Sequence, residues 1–311
     1  MASTLLSLFA HHPPSSTHLL PSTILSLSQH AGPFLAHASS HPDTPETWLL
    51  YENLLLTCLR SRDDSSARRC LDLLTARFGS HNERVMALRG LYDEATAKSQ
   101  KDLEGILRRY EEILAEDPTN VPIHKRLISL LTSLHHLPRA ISNLTSLLST
   151  NPTDAESWAE LSHLYFTQRM YAQSLFCLEE IILIYPQAYN IFARMGEISY
   201  LLSSTQPNPS PSPARNPTDI LLDALKYYLR SIELCKDYLR GYYGLVVVCR
   251  RLLKGKVPDR ENVQGLYERG RARLAEIVAR AERRDKGWEG YDEAEVEAAR
   301  RLLDEIEEGE K

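Results

Sequence analysis

Histidine is the residue most often recruited for metal binding and proton transfer. The first 41 residues carry six of the chain's eleven: His11, His12, His18, His30, His37 and His41. A metal site needs ligands of fixed geometry held by a supporting shell. These histidines stand among Ser and Pro with no H-E-x-x-H spacing, so they read as solvated low-complexity sequence. His135 and His136 fall between two apolar runs and read as exposed turn residues. The paired carboxylates of "LRRYEE" and "LEEIILIY" are chain neighbours. On a helix, adjacent Glu side chains diverge instead of converging on a substrate, so they read as a solvated face. The five cysteines, Cys58, Cys70, Cys177, Cys235 and Cys249, form no C-x-x-C pair and lie in apolar, helix-like runs. They read as buried reduced thiols of a cytosolic protein. There is no Gly-rich phosphate loop and no G-x-S-x-G elbow. No catalytic constellation, cofactor site or metal site emerges, and the chain reads as a non-enzyme.

The elements that would position any functional surface must therefore carry the argument. At 311 residues the chain can bury a large core. Its net charge of -5 is mild and its charges are interspersed. A general nucleic-acid binder would need a basic stripe to replace phosphate counterions, so no nucleic acid is expected as a partner. No apolar run approaches the ~20 residues of a membrane span. The opening "MASTLLSLFAHHPPSSTHLL" lacks a basic n-region, and its apolar stretch is short for a secretion signal.

Pro118, Pro152 and Pro186 are spaced 34 residues apart, and each ends an apolar helical run. That is the period of the tetratricopeptide repeat, a helix-turn-helix unit. Counted from Ala155, Trp158 falls at repeat position 4, Leu161 at 7, Ser162 at 8 and Tyr165 at 11. Ser174 then falls at 20, Leu178 at 24 and Pro186 at 32. The motif wants large residues at 4, 7, 11 and 24, and small ones at 8 and 20, where its two helices cross closely. The preceding unit keeps Ala140 at 20 and Pro152 at 32, and the following one has Gly196 at 8. Its second helix is delayed by "SSTQPNPSPSPARNPTD", 203–219, whose five prolines and polarity mark an exposed loop. The helix then resumes with Ala224 at position 20.

The expected fold is all-α: a tetratricopeptide-repeat superhelical solenoid of about five helix pairs over 46–285. Residues 1–45 read as a Ser/Pro/His-rich segment with a short helix near Thr23 to Gln29, and 286–311 as an acidic tail forming a loosely held helix. Function in such a fold usually lies on the concave face, lined by the first helix of each repeat. Repeat positions 2, 5, 9, 12 and 13 nominate Lys125, His163, Phe166, Glu197, Tyr200 and Leu201 for that face. Phe166, Tyr200 and Leu201 either anchor a partner helix or pack between neighbouring repeats. A carboxylate clamp for acidic chaperone C-termini finds Lys125 and Arg194, but Ser129, Glu160 and Asn190 stand where it wants Asn, Asn and Lys. A carboxylate facing a carboxylate ligand repels it, which argues against the clamp.

The stretch "YAQSLFCLEEIILIYPQAYNIFARMGEISYLL" resembles the family of subunit 2 of the endoplasmic reticulum membrane protein complex. "YEEILAEDPTN" and "ETWLLYENLLLTCLRSRDD" are similar to that family in the same order. The likeness covers Glu46 to Val248. It implies a non-catalytic subunit of a multi-subunit insertase, peripheral to the ER membrane on its cytoplasmic side. Its implied partners are the other subunits of that complex, membrane-embedded and soluble cytosolic, in a hetero-oligomer. It also implies a part in inserting tail-anchored and multi-spanning proteins, with the insertion chemistry in other chains. The rival readings are a soluble tetratricopeptide-repeat co-chaperone adaptor and a helical-repeat enzyme.

Overall fold

The computed structural model describes residues 7–9, 20–204, 216–283 and 290–309. It divides into two compact units, Met1–Leu147 and Leu148–Lys311. The fold is a helical-repeat solenoid of the tetratricopeptide type, and the described residues contain no strand.

After the helical residues 7–9, unit 1 carries α1 (Pro21–Ser28) and α2 (Ala31–Ala36). Three helix pairs follow: α3 (Pro45–Ser61) with α4 (Asp64–Phe78), α5 (Glu83–Thr96) with α6 (Gln100–Glu116), and α7 (Val121–Ser133) with α8 (Leu137–Thr150), in which the unit ends. Unit 2 holds α9 (Ala155–Thr167) with α10 (Tyr171–Ile184), α11 (Tyr189–Leu202) with α12 (Pro217–Leu234), α13 (Leu239–Leu253) with α14 (Arg260–Glu282), and a last single helix α15 (Glu293–Gly309). The described residues thus hold six pairs, against about five expected.

Local chemistry sets the helix ends. Thr44, Asp63, Asn82, Ser99, Asn120, Asp154 and Asn216 each accept a first-turn backbone N–H, satisfying donors that have no partner inside the helix. Pro118, Pro152 and Pro186 are exposed in the connections between pairs, where a missing N–H costs nothing. His135 and Arg169, at the turns inside two successive pairs, adopt left-handed backbone angles of φ 61° and 59°. His135 and His136 are both exposed. The 203–219 insertion is shorter at its end than its prolines suggest. Pro217 is the first residue of α12, a position where its fixed φ suits a helix start, and Asn216 caps it. Residues 205–215, the bulk of that loop, lie outside the described residues.

The N-terminal segment differs from the solvated reading in part. His11, His12 and His18 lie outside the described residues, and His30 and His37 are exposed. His41 is half-buried: its ring stacks on Phe34 at 4.1 Å and its Nδ1 meets the Tyr51 hydroxyl at 2.8 Å. Leu27, Ala31, Phe34 and Leu35 recur at helical spacing and are buried against Tyr51, Leu54 and Leu71. Complete burial of one such side chain is worth about 1.5–3 kcal/mol, which is what fastens α1 and α2 to α3 and α4.

Within pairs, the helices approach closely at recurring positions. Ser162, the eighth residue of α9, is buried against fully buried Ser174 of α10. Ser174 Oγ donates to the Ser162 carbonyl at 2.8 Å, and Ser162 Oγ lies 3.0 Å from the Ser174 carbonyl. Trp158, Leu161, Tyr165 and Leu178 lie half-buried or buried along this pair. Gly196 is the eighth residue of α11, and a Cβ there would lie 2.7 Å from the Tyr228 ring of α12. A Cβ on Gly244 of α13 would lie 2.1 Å from the same ring. Tyr228 is thus held between two glycines, and Ala224, one turn earlier, is fully buried. Unit 1 repeats the device: Gly90 leaves room for Tyr110, whose hydroxyl donates to Glu94 at 2.6 Å, and Arg126 completes the cluster by pairing with Glu94. Ala140 is fully buried on α8.

All five cysteines are free. Four are buried, and Cys235 is half-buried. Burial pushes the thiols of Cys58, Cys177 and Cys249 up to about 12, so they stay protonated and unreactive. At the C-terminus, α15 is a docked helix, with Ala299, Leu302 and Ile306 buried against α13 and α14.

Gly196→Ala should destabilise by about 1–3 kcal/mol, because Tyr228 cannot retreat past Gly244. In a Tyr228→Leu background the same change should cost less. Equal costs in denaturant unfolding would show that the ring is not the obstacle. A second expectation concerns pH. His124 Nε2 is buried with no hydrogen-bond partner among the described residues, and burial holds the ring's pKa below its usual value. The folded state therefore resists the proton that the unfolded state accepts, so stability is lost as pH falls below the unfolded value of about 6.5. His124→Phe should flatten the fall in melting temperature between about pH 7 and pH 5. An unchanged slope would assign that fall to other groups.

Candidate interaction surface

In unit 2 the first helices α9 and α11 carry the residues nominated for the inner face. His163 and Glu197 are exposed, and Phe166, Tyr200 and Leu201 are half-buried. In unit 1, Lys125 of α7 is half-buried.

Two arginine-aromatic stacks organise the surface of unit 2. Phe166 leans on Tyr171 with ring centroids 5.8 Å apart and packs against the cluster of Leu178, Ile181, Met195 and Ile198. The Arg194 guanidinium of α11 covers it at 4.0 Å from the ring centroid. Glu197, one turn on, accepts from Arg194 at 2.7 Å. Tyr200, at the far end of α11, is covered by Arg251 of α13 at 5.0 Å, and Arg251 also donates to Ser204 Oγ at 2.5 Å. Each stack contributes about 0.5–1 kcal/mol at such a partly exposed site. Each also ties one first helix to the next. The surface presents planar cations, ring edges and one carboxylate. Among the described residues, no group of three or more His, Cys, Asp or Glu is placed to hold a metal ion.

Arg194 was legible as a clamp candidate, but Glu197 and Phe166 engage it. Arg251 was missed. It sits in the last turn of α13, 51 residues from Tyr200, and nothing local marks the pairing.

Unit 1 has a separate cleft of about 550 Å³, floored by Trp48, Leu74, Val85 and Leu88. Its rim carries two ion pairs, Arg77 with Asp43 at 3.1 Å and Arg84 with Glu52 at 2.8 Å, so it presents little net charge.

Comparison with known proteins bears on what these surfaces serve. Residues 74–214 match the EMC2 TPR-like repeat domain. The TPR repeat protein oca3 of Schizosaccharomyces pombe is 32% identical over 241 residues, 72% of this chain and 80% of the relative. The ER membrane protein complex subunit 2 of Xenopus tropicalis is 31% identical over 212 residues, 68% of this chain and 64% of that protein's length. Among solved structures, the C-terminal part of a TPR repeat-containing protein from Cytophaga hutchinsonii superposes with a TM-score of 0.51 over 89% of this chain and 95% of that one. At 10% identity, that likeness concerns the fold alone. The domain match, the subunit 2 relatives and the phased repeat agree: the chain belongs to the ER membrane protein complex subunit 2 family.

Proposed function

We propose that this chain is a non-catalytic scaffold subunit of the ER membrane protein complex. It sits peripherally on the cytoplasmic side of the ER membrane and holds membrane-embedded and soluble cytosolic subunits together. Through them it supports insertion of tail-anchored and multi-spanning proteins. The observation that carries the reading is family membership, resting on the domain match over residues 74–214. Three features fit it. No helix among the described residues is long and apolar enough to cross a membrane, and the reading has the chain attached through protein contacts. The inner face of unit 2 offers rings and guanidinium planes, the groups enriched where proteins bind proteins. The buried cysteines, with thiols held protonated by burial, are inert.

The reading makes a paired demand. In normal cells the protein should pellet with ER membranes, survive moderate salt and come off in alkaline carbonate. Attachment by surface charge alone would be screened by salt. In cells lacking the membrane-embedded subunits it should become soluble and scarce, since an orphaned interface invites degradation. Retention on membranes without those subunits, or solubility in normal cells, would sink the scaffold reading and favour a soluble adaptor.

A further inference from the structure

The outer face of α10 combines two features that are ordinary apart. Phe176 and Leu183 stand two turns apart and share one side of the helix. They are 54% and 78% exposed, and Tyr185 just beyond is 59% exposed. Single apolar groups on a surface are normal, but two large ones in line on one side of a helix make a candidate contact face. The stripe is supported from beneath, because the Trp158 indole meets the Phe176 ring edge-on with centroids 6.1 Å apart. At about 100° per residue, Glu179 and Glu180 fall on opposite sides of the Phe176–Leu183 line. One carboxylate therefore runs along each flank. Elsewhere in unit 2 acids on helix surfaces find arginines, as Glu197 does with Arg194 and Glu233 with Arg230. Neither Glu179 nor Glu180 makes an ion pair among the described residues.

We propose that the outer face of α10 docks a basic amphipathic helix of another protein chain. Its apolar side chains seat on Phe176 and Leu183, and Lys or Arg on both sides of its stripe pair with Glu179 and Glu180. The apolar anchors take the i and i+7 positions of the helix-recognition pattern, and Glu179 and Glu180 take i+3 and i+4. The flanking carboxylates choose among occupants. An anionic bilayer would be repelled by both. A second copy of the same face would set carboxylate against carboxylate, and opposed like charges exclude wrong partners. A basic helix alone satisfies stripe and flanks together. The surface is distinct from the inner face on which the proposed function rests, and it does not require membership of a complex.

The test uses the full chain and two fluorescent synthetic peptides, each a Leu-striped helix of about five turns. One has Lys along both flanks, and the other has Glu. The Lys peptide should bind saturably by anisotropy, and the Glu peptide should not. Leu183→Ser should weaken binding about tenfold or more, and it leaves the Phe176–Trp158 contact untouched. Phe176→Ser should act likewise. Glu179→Lys combined with Glu180→Lys should lose the Lys peptide and take up the Glu peptide, a reversal that misfolding cannot mimic. The proposal is overturned if the Lys peptide fails to bind, if the variants bind it as the parent does, or if both peptides bind the parent equally. It is also overturned if Leu183→Ser abolishes only binding to phosphatidylserine vesicles or only concentration-dependent self-association, which would assign the stripe to lipid or to a second copy.

Discussion

Where the two helices of a pair cross, there is room for one large side chain and no more. In unit 2 the Tyr228 ring takes that room, and the chain yields by placing Gly196 on one side and Gly244 on the other. In unit 1 Tyr110 takes it and Gly90 yields. Between α9 and α10 the solution is inverted: both contacting residues are small, and Ser162 and Ser174 satisfy each other's carbonyls across the gap. The serine hydroxyls are fully sheltered, so each hydrogen bond matters less for its net gain of about 1 kcal/mol than for the larger penalty of leaving a buried polar group unmade. Helix spacing follows from these contacts. The positions of the rings and arginines that meet between successive first helices follow from helix spacing.

That dependence explains how the arginine-aromatic stacks between α9, α11 and α13 form. Arg194 reaches Phe166, and Arg251 reaches Tyr200, only because successive first helices lie at a separation fixed by the crossings beneath them. A guanidinium over a ring tolerates sliding but not lift-off, since the attraction is lost beyond about 6 Å. Glu197 holds Arg194 at the other side, so the cation is fixed in place before any partner arrives. A surface arranged in advance loses less side-chain freedom on binding than one that must order its groups.

Much of the fold was legible because the repeat writes itself locally. Pro118, Pro152 and Pro186 mark connections, and Asn120 and Asp154 cap helices two residues beyond the first two of them. Gly196 was readable as a small position; its counterpart Gly244 was not, because both answer to Tyr228, and the insertion separates Gly196 from that ring. The packing of α1 and α2 was hidden for a different reason. Leu27, Ala31, Phe34 and Leu35 have helical spacing, but Ser, His and Pro33 between them give the composition of a linker. His41 takes its place only once Tyr51 is beneath it. The inner-face nominees came from repeat register alone, which places a residue on a face but does not say which arginine will cover it. Glu179 and Glu180 were read as solvated carboxylates. Their relation to Leu183 needs the orientation of α10, which "LEEIILIY", apolar on most sides, does not reveal.

The termini of the two units bear on which surfaces remain for partners. A helical repeat leaves a bare apolar face at each end of its stack, and that face must be covered. In unit 1, α1 and α2 bury Phe34 and Leu35 against α3 and α4. In unit 2, α15 buries Ala299, Leu302 and Ile306 and turns outward a side laced with charge, including Arg300, Arg301 and Asp304. Among the described residues, most of the large apolar groups that remain exposed lie on helices, with Leu183 the most exposed. A partner that buries them must approach from the side, across helices whose spacing the crossings have already set. Such a partner can use direct contact, without first reordering the chain that receives it.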